Sequence, residues 1–221
     1  MVSLDFIYKY IILHYMKLHC IFTACIGGSK EYPHDHEEEL YVERIRDTMS
    51  RMAGFSITFY VVENNGIRPT LLDTIEGATI VYTETNKETW GIGKKEFYDV
   101  KSVCERYNFS EEDIVIKMTG RYLIENPTLV EKVLYYSDNI DVFMKFYNFS
   151  TEKFEYYDCL LALWAIRYSV IQSFSVSLLD DIDKSPEVVF ATYIRNTVPA
   201  NRVMELRHLD MYFRGVKRLY I

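Results

Sequence analysis

From about residue 19 onward, short apolar runs alternate with longer stretches of helical period. Residues 19–26 form an apolar run ending in Gly27-Gly28, which predicts a strand and a turn. Residues 37–53 bring Leu40, Ile45, Met49 and Met52 near one face, with acids in the first turn and Gly54 after the end, the pattern of an amphipathic helix. Residues 56–62 predict a second strand closed by the turn Glu63-Asn64-Asn65-Gly66, and residues 79–83 a third. Phe97, Val100, Cys104 and Tyr107 recur at helical spacing, so residues 94–107 are expected to be helical. The continuous run Ile114, Val115, Ile116 predicts a fourth strand, over 114–118, buried on both faces.

Asn126-Pro127 opens a further helix, with Asn as cap and Pro at the first helical position. Residues 140–147 read as a strand, and residues 159–174 as a strand passing into a helix. Ser185-Pro186-Glu187 starts the last clear helix by the same cap logic, and the Asp-rich stretch 178–184 before it reads as a loop. Alternation of this kind implies an α/β domain with a mainly parallel central sheet and helices on both faces. The chain of 221 residues has room for one such domain. The reading divides it into an amino-terminal extension over 1–18 and a domain over 19–221, with Met16 as an alternative start.

Composition narrows the function. Hydrophobic residues make up 49% of the chain, enough for a full core. A net charge of −7 argues against nucleic acid as the main partner and leaves room for a local basic pocket around one small anion. Cys20, Cys25, Cys104 and Cys159 follow no zinc or Cys-x-x-Cys spacing and read as reduced thiols, which favours a cytoplasmic setting. The apolar stretch over 4–13 is interrupted by Lys9 and followed by His14 and Lys17, too short to span a bilayer, so membrane contact is not expected.

The strongest chemical signal follows the fourth strand, in Lys117-Met-Thr119-Gly120-Arg121-Tyr122. Ligands of open α/β sheets bind outside the carboxyl ends of the strands. A fixed cation there, beside a glycine that lets backbone come close, suits a phosphate-bearing ligand. Taken with a first strand ending in small residues, a second ending in Glu-Asn-Asn, then Asn86-Lys87 and Gly93-Lys94-Lys95-Glu96 opening a helix, the layout resembles the GT-A fold of nucleotide-sugar glycosyltransferases. It is similar in particular to small transferase-like proteins of large DNA viruses of the chlorella type and of some bacteria, over roughly residues 19–215.

The resemblance implies transfer of a sugar from a nucleotide-diphosphate sugar to a hydroxyl of a glycan acceptor, in the cytoplasm (of a host cell, for a viral protein). It implies that Thr23 and Ala24 line the nucleotide pocket, that Glu63 meets the base or ribose, and that Asn86, Lys94, Lys95, Lys117, Thr119 and Gly120 contact the nucleotide sugar. Where GT-A enzymes carry an Asp-x-Asp pair holding a divalent ion, this chain has Lys117 and Thr119. A hard cation needs oxygen ligands, so either the metal, Mn or Mg, is absent or its ligands come from elsewhere. Arg121 and Lys117 would then stabilise the departing diphosphate. Glu187, near the start of a late helix, stands where the resemblance places the catalytic base.

Competing readings stay open at this point. Asp180, Asp181 and Asp183 form an alternative acidic set. His34-Asp35-His36-Glu37 and His208 have metal-ligating side chains, and the first group reads better as a solvated loop. Gly27-Gly28 lacks the Gly-Lys-Ser/Thr of a P-loop. A non-catalytic sugar-nucleotide-binding or scaffold protein, and a nucleotidyltransferase, are the alternatives to the glycosyltransferase.

Overall fold

The computed structural model describes residues 16–26, 37–147, 156–180 and 183–213. Among these residues seven strands form one sheet, in the order β3-β2-β1-β4-β7-β6-β8. The strands are β1 (Leu18–Ala24), β2 (Ile57–Glu63), β3 (Ala78–Tyr82), β4 (Ile114–Thr119), β6 (Val142–Phe146), β7 (Cys159–Arg167) and β8 (Val203–Glu205). Only β7 runs against the others, antiparallel to both β4 and β6. A second, two-stranded sheet pairs β5 (Tyr122–Ile124) with β9 (Met211–Phe213).

β1, β4 and β7 are buried along their whole length, as their near-continuous apolar sequences demand. Alternation of side chains then sorts their residues between two cores. Cys20, Phe22, Ile116 and Met118 join Tyr41, Val42 and Ile45 of α1 (Glu37–Arg51), with Leu129, Val130 and Val133 of α3 (Thr128–Tyr136). Ile21 and Val115 face the other layer, with Phe97, Val100 and Val103 of α2 (Ile92–Arg106) and Phe190, Ala191 and Ile194 of α5 (Pro186–Thr197). The short α4 (Tyr168–Ser173) continues directly from β7. The architecture is a mixed α/β domain, a mostly parallel sheet with helices on both faces.

The expected elements lie within a few residues of the observed ones, with instructive differences. α3 starts one residue later than the Asn-Pro signal predicts. Pro127 occupies the cap position and Asn126 Oδ1 accepts from the Thr128 backbone N–H at 3.1 Å, one step earlier than an N-cap would. The stretch expected to be an Asp-rich loop begins with a 3₁₀ turn, Val176–Asp180, whose Val176 is buried in the α2 core. β5, β8 and β9 span three residues each, too few for period to betray them. The expected extension before Met16, the Gly27-Gly28 turn and the His34-Asp35-His36 group lie outside the described residues.

The chain winds outward from β1 to β2 and β3, then returns to β4 on the other side of β1. Adjacent connections therefore leave in opposite directions between β1 and β4, which opens a crevice at their carboxyl ends. The opposite end is closed by structural polar groups. Asp113 pairs with His19 at 3.2 Å and accepts from the Lys17 and Ser110 backbone, while Arg167 binds Asp141 at 2.6 Å. Burial opposes the Asp113 charge, but these bonds hold its pKa below the usual carboxylate range.

Candidate functional site at the carboxyl ends of β1, β2 and β4

Register brings the first group of residues together. Thr23 stands opposite Val62 on one side and Thr119 on the other, and Ala24 stands opposite Glu63. Thr23, Lys117 and Thr119 share the face that looks at α2, and Glu96 of α2 meets all three. Its Oε1 accepts from Thr119 Oγ1 at 3.0 Å and from Thr23 Oγ1 at 3.3 Å, and its Oε2 accepts from Lys117 Nζ at 2.6 Å. Lys117 also donates to Thr119 Oγ1 and to the Leu161 carbonyl, both at 2.8 Å. An ammonium has three protons, so Lys117 is fully engaged within the protein. It is 1% exposed, and burial pulls its pKa down while Glu96 pulls it back up. Lys117 is thus neutralised by Glu96 rather than held out toward a ligand.

A second group forms beside the β2 end. The Glu63 carboxylate is fully buried and accepts from Arg68 at 2.8 Å and from the Ile26 and Asn65 backbone N–H groups at 3.0 Å each. It organises this loop more than it faces solvent. Asn65 bonds Asn86, and Asn86 accepts from Lys95 Nζ, so a polar chain leads from Glu63 out to a cation that spends one of its protons there. Gly66, at φ 82°, makes the turn that lets its N–H reach the Thr83 carbonyl at 2.7 Å.

Asp99 ties the loops after β2 and β3 together. It is fully buried and accepts from Thr83 Oγ1 at 2.8 Å, Asn64 Nδ2 at 3.1 Å and Thr85 Oγ1. Burial pushes its pKa up to about 7; the three bonds work against that shift and the Glu96 charge adds to it. The sign of the linkage follows. Between 3.8 and about 7 the unfolded chain ionises while the folded one holds its proton, so this contribution to stability is full at acid pH and lost as pH rises through that window. Thermal melts of Asp99→Asn should accordingly vary less with pH across the window than those of the wild type. Parallel pH profiles would contradict the assignment.

The remaining candidates divide. Arg121 is exposed in the turn between β4 and β5, its guanidinium 5.9 Å from the Tyr122 ring centroid and its charge within reach of Lys117. Gly120 serves packing: a Cβ there would come within 2.9 Å of the Tyr41 ring, so the glycine lets α1 close onto the sheet. Ala24 is buried in the same α1-side core. Lys94 makes its contacts apart from the Glu96 group, paired with Asp180 and 4.6 Å from the Trp90 ring centroid. His208 is exposed between β8 and β9. Asp181 lies outside the described residues.

Glu187 sits in the first turn of α5, whose cap Ser185 accepts from the Val188 N–H at 3.3 Å. Gly93 of α2 lies against Pro186, where a Cβ would come within 2.3 Å, so the two helices start side by side. Burial raises the Glu187 pKa, and the charges of Asp158 and Glu96 push the same way. The Gly93–Pro186 contact sets the start of α5 beside the first turn of α2, the turn that ends in Glu96. Sequence reasoning missed Glu96, Asp99, Arg68 and Asp158 as members of this region. Phe97, Val100, Leu161 and Trp164 pack beneath Glu96 and Lys117 and leave no cavity there, so a nucleotide would have to lie across the crevice above them.

Solved structures share this arrangement. A protein described as a nucleotide-diphospho-sugar transferase from Desulfovibrio desulfuricans G20 superposes with a TM-score of 0.55, at 15% identity, covering 86% of this chain and 80% of its own. The chain has the fold of nucleotide-diphospho-sugar transferases. The galactosyltransferase LgtC, solved with donor and acceptor sugar analogs, gives 0.52 at 9% identity, with 91% and 88% covered. A cytidylyltransferase from Leptospira borgpetersenii serovar Hardjo-bovis gives 0.51 at 16% identity, with 93% and 81% covered. No protein-family model and no curated protein sequence matches the chain. Among the described residues no helix is long and apolar enough to cross a membrane.

Proposed function

We propose that this protein is a glycosyltransferase that binds a nucleotide-diphosphate sugar across the β1–β4 crevice and passes the sugar to a hydroxyl of a glycan acceptor. What supports this reading is an exposed arginine just beyond β4, whose charge reaches Lys117, together with a carboxylate of raised proton affinity at the start of α5, the helix that packs beside the start of α2. The nucleoside would lie toward Glu63, Asn65 and Asn86, and the diphosphate toward Lys95 and Arg121. In the transfer, Glu187 takes the proton of the acceptor hydroxyl as its oxygen bonds to the anomeric carbon. The bond from that carbon to the diphosphate oxygen breaks, and its electron pair leaves with the diphosphate. Arg121 stabilises the charge that appears there.

Calorimetric titration with a panel of uridine, guanosine and cytidine diphosphate sugars tests the donor half. Wild-type protein should bind at least one. Arg121→Ala should weaken that binding roughly 10- to 100-fold, the worth of charge-assisted hydrogen bonds to phosphate. No binding by the wild type would refute the reading. Tight binding with no transfer to any hydroxyl acceptor would favour the non-catalytic binding protein instead.

A further inference from the structure

The GT-A resemblance implies a divalent ion at the end of β4, and the residues there can be tested for fit. A hard cation needs several oxygen ligands, carboxylates foremost. At this place a carboxylate, a hydroxyl and a backbone carbonyl converge at 2.6–2.8 Å, but they converge on the Lys117 ammonium. The oxygen shell that could have held an ion is closed around a side chain anchored in the central strand. Both Glu96 oxygens are already engaged, Oε1 by two threonine hydroxyls and Oε2 by Lys117.

Two further acids near the crevice are committed too. Glu63 is held by Arg68 and backbone N–H groups, and Asp99 by two threonines and an asparagine. Among the described residues no group of three or more His, Cys, Asp or Glu side chains could hold a metal ion. An ion entering beside Lys117 would meet a like charge that cannot move away, because its stem lies within β4 at 1% exposure. The donor set does not fit a divalent metal.

We infer that this chain binds nucleotide diphosphates without a divalent ion, the Lys117–Glu96 pair plugging the metal position and Arg121 with Lys95 meeting the diphosphate. This rests on the proposed donor site. It also differs from the sequence expectation, in which Lys117 itself faces the diphosphate: the pair is neutral as a whole, so the accessible charge has to come from its neighbours.

The test has two arms, both on the full chain. In the first, uridine, guanosine and cytidine diphosphates are titrated in excess chelator and again with Mg²⁺ or Mn²⁺. The expected dissociation constants agree within about twofold, whereas the loss of a bridging ion would shift them by about tenfold or more. Binding that collapses in chelator overturns the inference. In the second arm, Mn²⁺ is added to the nucleotide-free protein and the free-ion electron paramagnetic resonance signal is followed. An undiminished signal supports the inference, and stoichiometric uptake of Mn²⁺ overturns it. Should none of the nucleotides bind in either condition, the proposed donor site fails, and the Mn²⁺ arm alone decides whether the metal position is plugged.

Discussion

Glu187→Gln should lower the turnover of a bound nucleotide sugar by about 10²- to 10⁴-fold, the usual worth of a positioned general base, while leaving donor affinity unchanged. The amide keeps the shape of the side chain and cannot take the acceptor proton. The pH profile sharpens the test. A base works only when deprotonated, so activity should rise with pH through the pKa of Glu187. Burial first, and then the charges of Asp158 and Glu96, set that pKa above the ordinary glutamate value. Asp158→Asn removes one of those charges and should move the rising limb of kcat to lower pH. Donor binding measured in the same variants separates the two roles: a fall in affinity that matches the fall in turnover would make Glu187 a structural or binding residue. An unmoved limb in Asp158→Asn would mean that the titrating base is another group.

The parts of the fold that were legible in the sequence are those where one residue period dominates. β1 and β4 are near-continuous apolar runs because both faces are covered, and α5 begins just after Ser185 because its hydroxyl caps the helix. The position of the crevice was legible for the same reason, since it lies where those runs stop. Its internal chemistry was harder to read. Lys117 looks ligand-facing in a linear sequence because a charge at a strand end is ordinarily solvated. Alternation with Ile116 and Met118 puts it instead against α2, where its partner Glu96 lies 21 positions earlier in the chain. Gly120 looks like a place for backbone to approach a phosphate, and it is where Tyr41 approaches the backbone.

One signal for the missing residues did exist. Counted from Glu96, the positions i, i+3, i+4, i+7 and i+8 are Glu96, Asp99, Val100, Val103 and Cys104, a single helical stripe. Two acids at the amino-terminal end of a stripe that is otherwise buried and apolar must find donors. They find them at the carboxyl ends of the strands beneath, in Thr23, Lys117 and Thr119 for one and Thr83, Thr85 and Asn64 for the other. Acids on the core face of a helix that opens onto a strand end therefore mark a site as well as the strand-end cation does.

Glu96→Ala is expected to cost about 3–5 kcal/mol of unfolding free energy in urea melts, the scale for stranding one member of a buried pair. The reason is the asymmetry of the two partners: Glu96 keeps some contact with solvent, with 18% of its side chain exposed, but Lys117 has 2%. Without the carboxylate, Lys117 would retain only Thr119 and the Leu161 carbonyl, both neutral. The loss should ease with rising pH. Burial already holds the Lys117 pKa below 10.5, and between the folded and unfolded values the unfolded chain binds more protons, so stability climbs with pH in that interval. Removing both charges with Glu96→Gln and Lys117→Met together should restore most of what Glu96→Ala loses, since similar apolar volume replaces a desolvated ion. A Glu96→Ala penalty of about 1 kcal/mol or less, the worth of an exposed salt bridge, would show that water reaches the ammonium. The oxygen shell around it would then be open to exchange, and this strand end would have room for an ion.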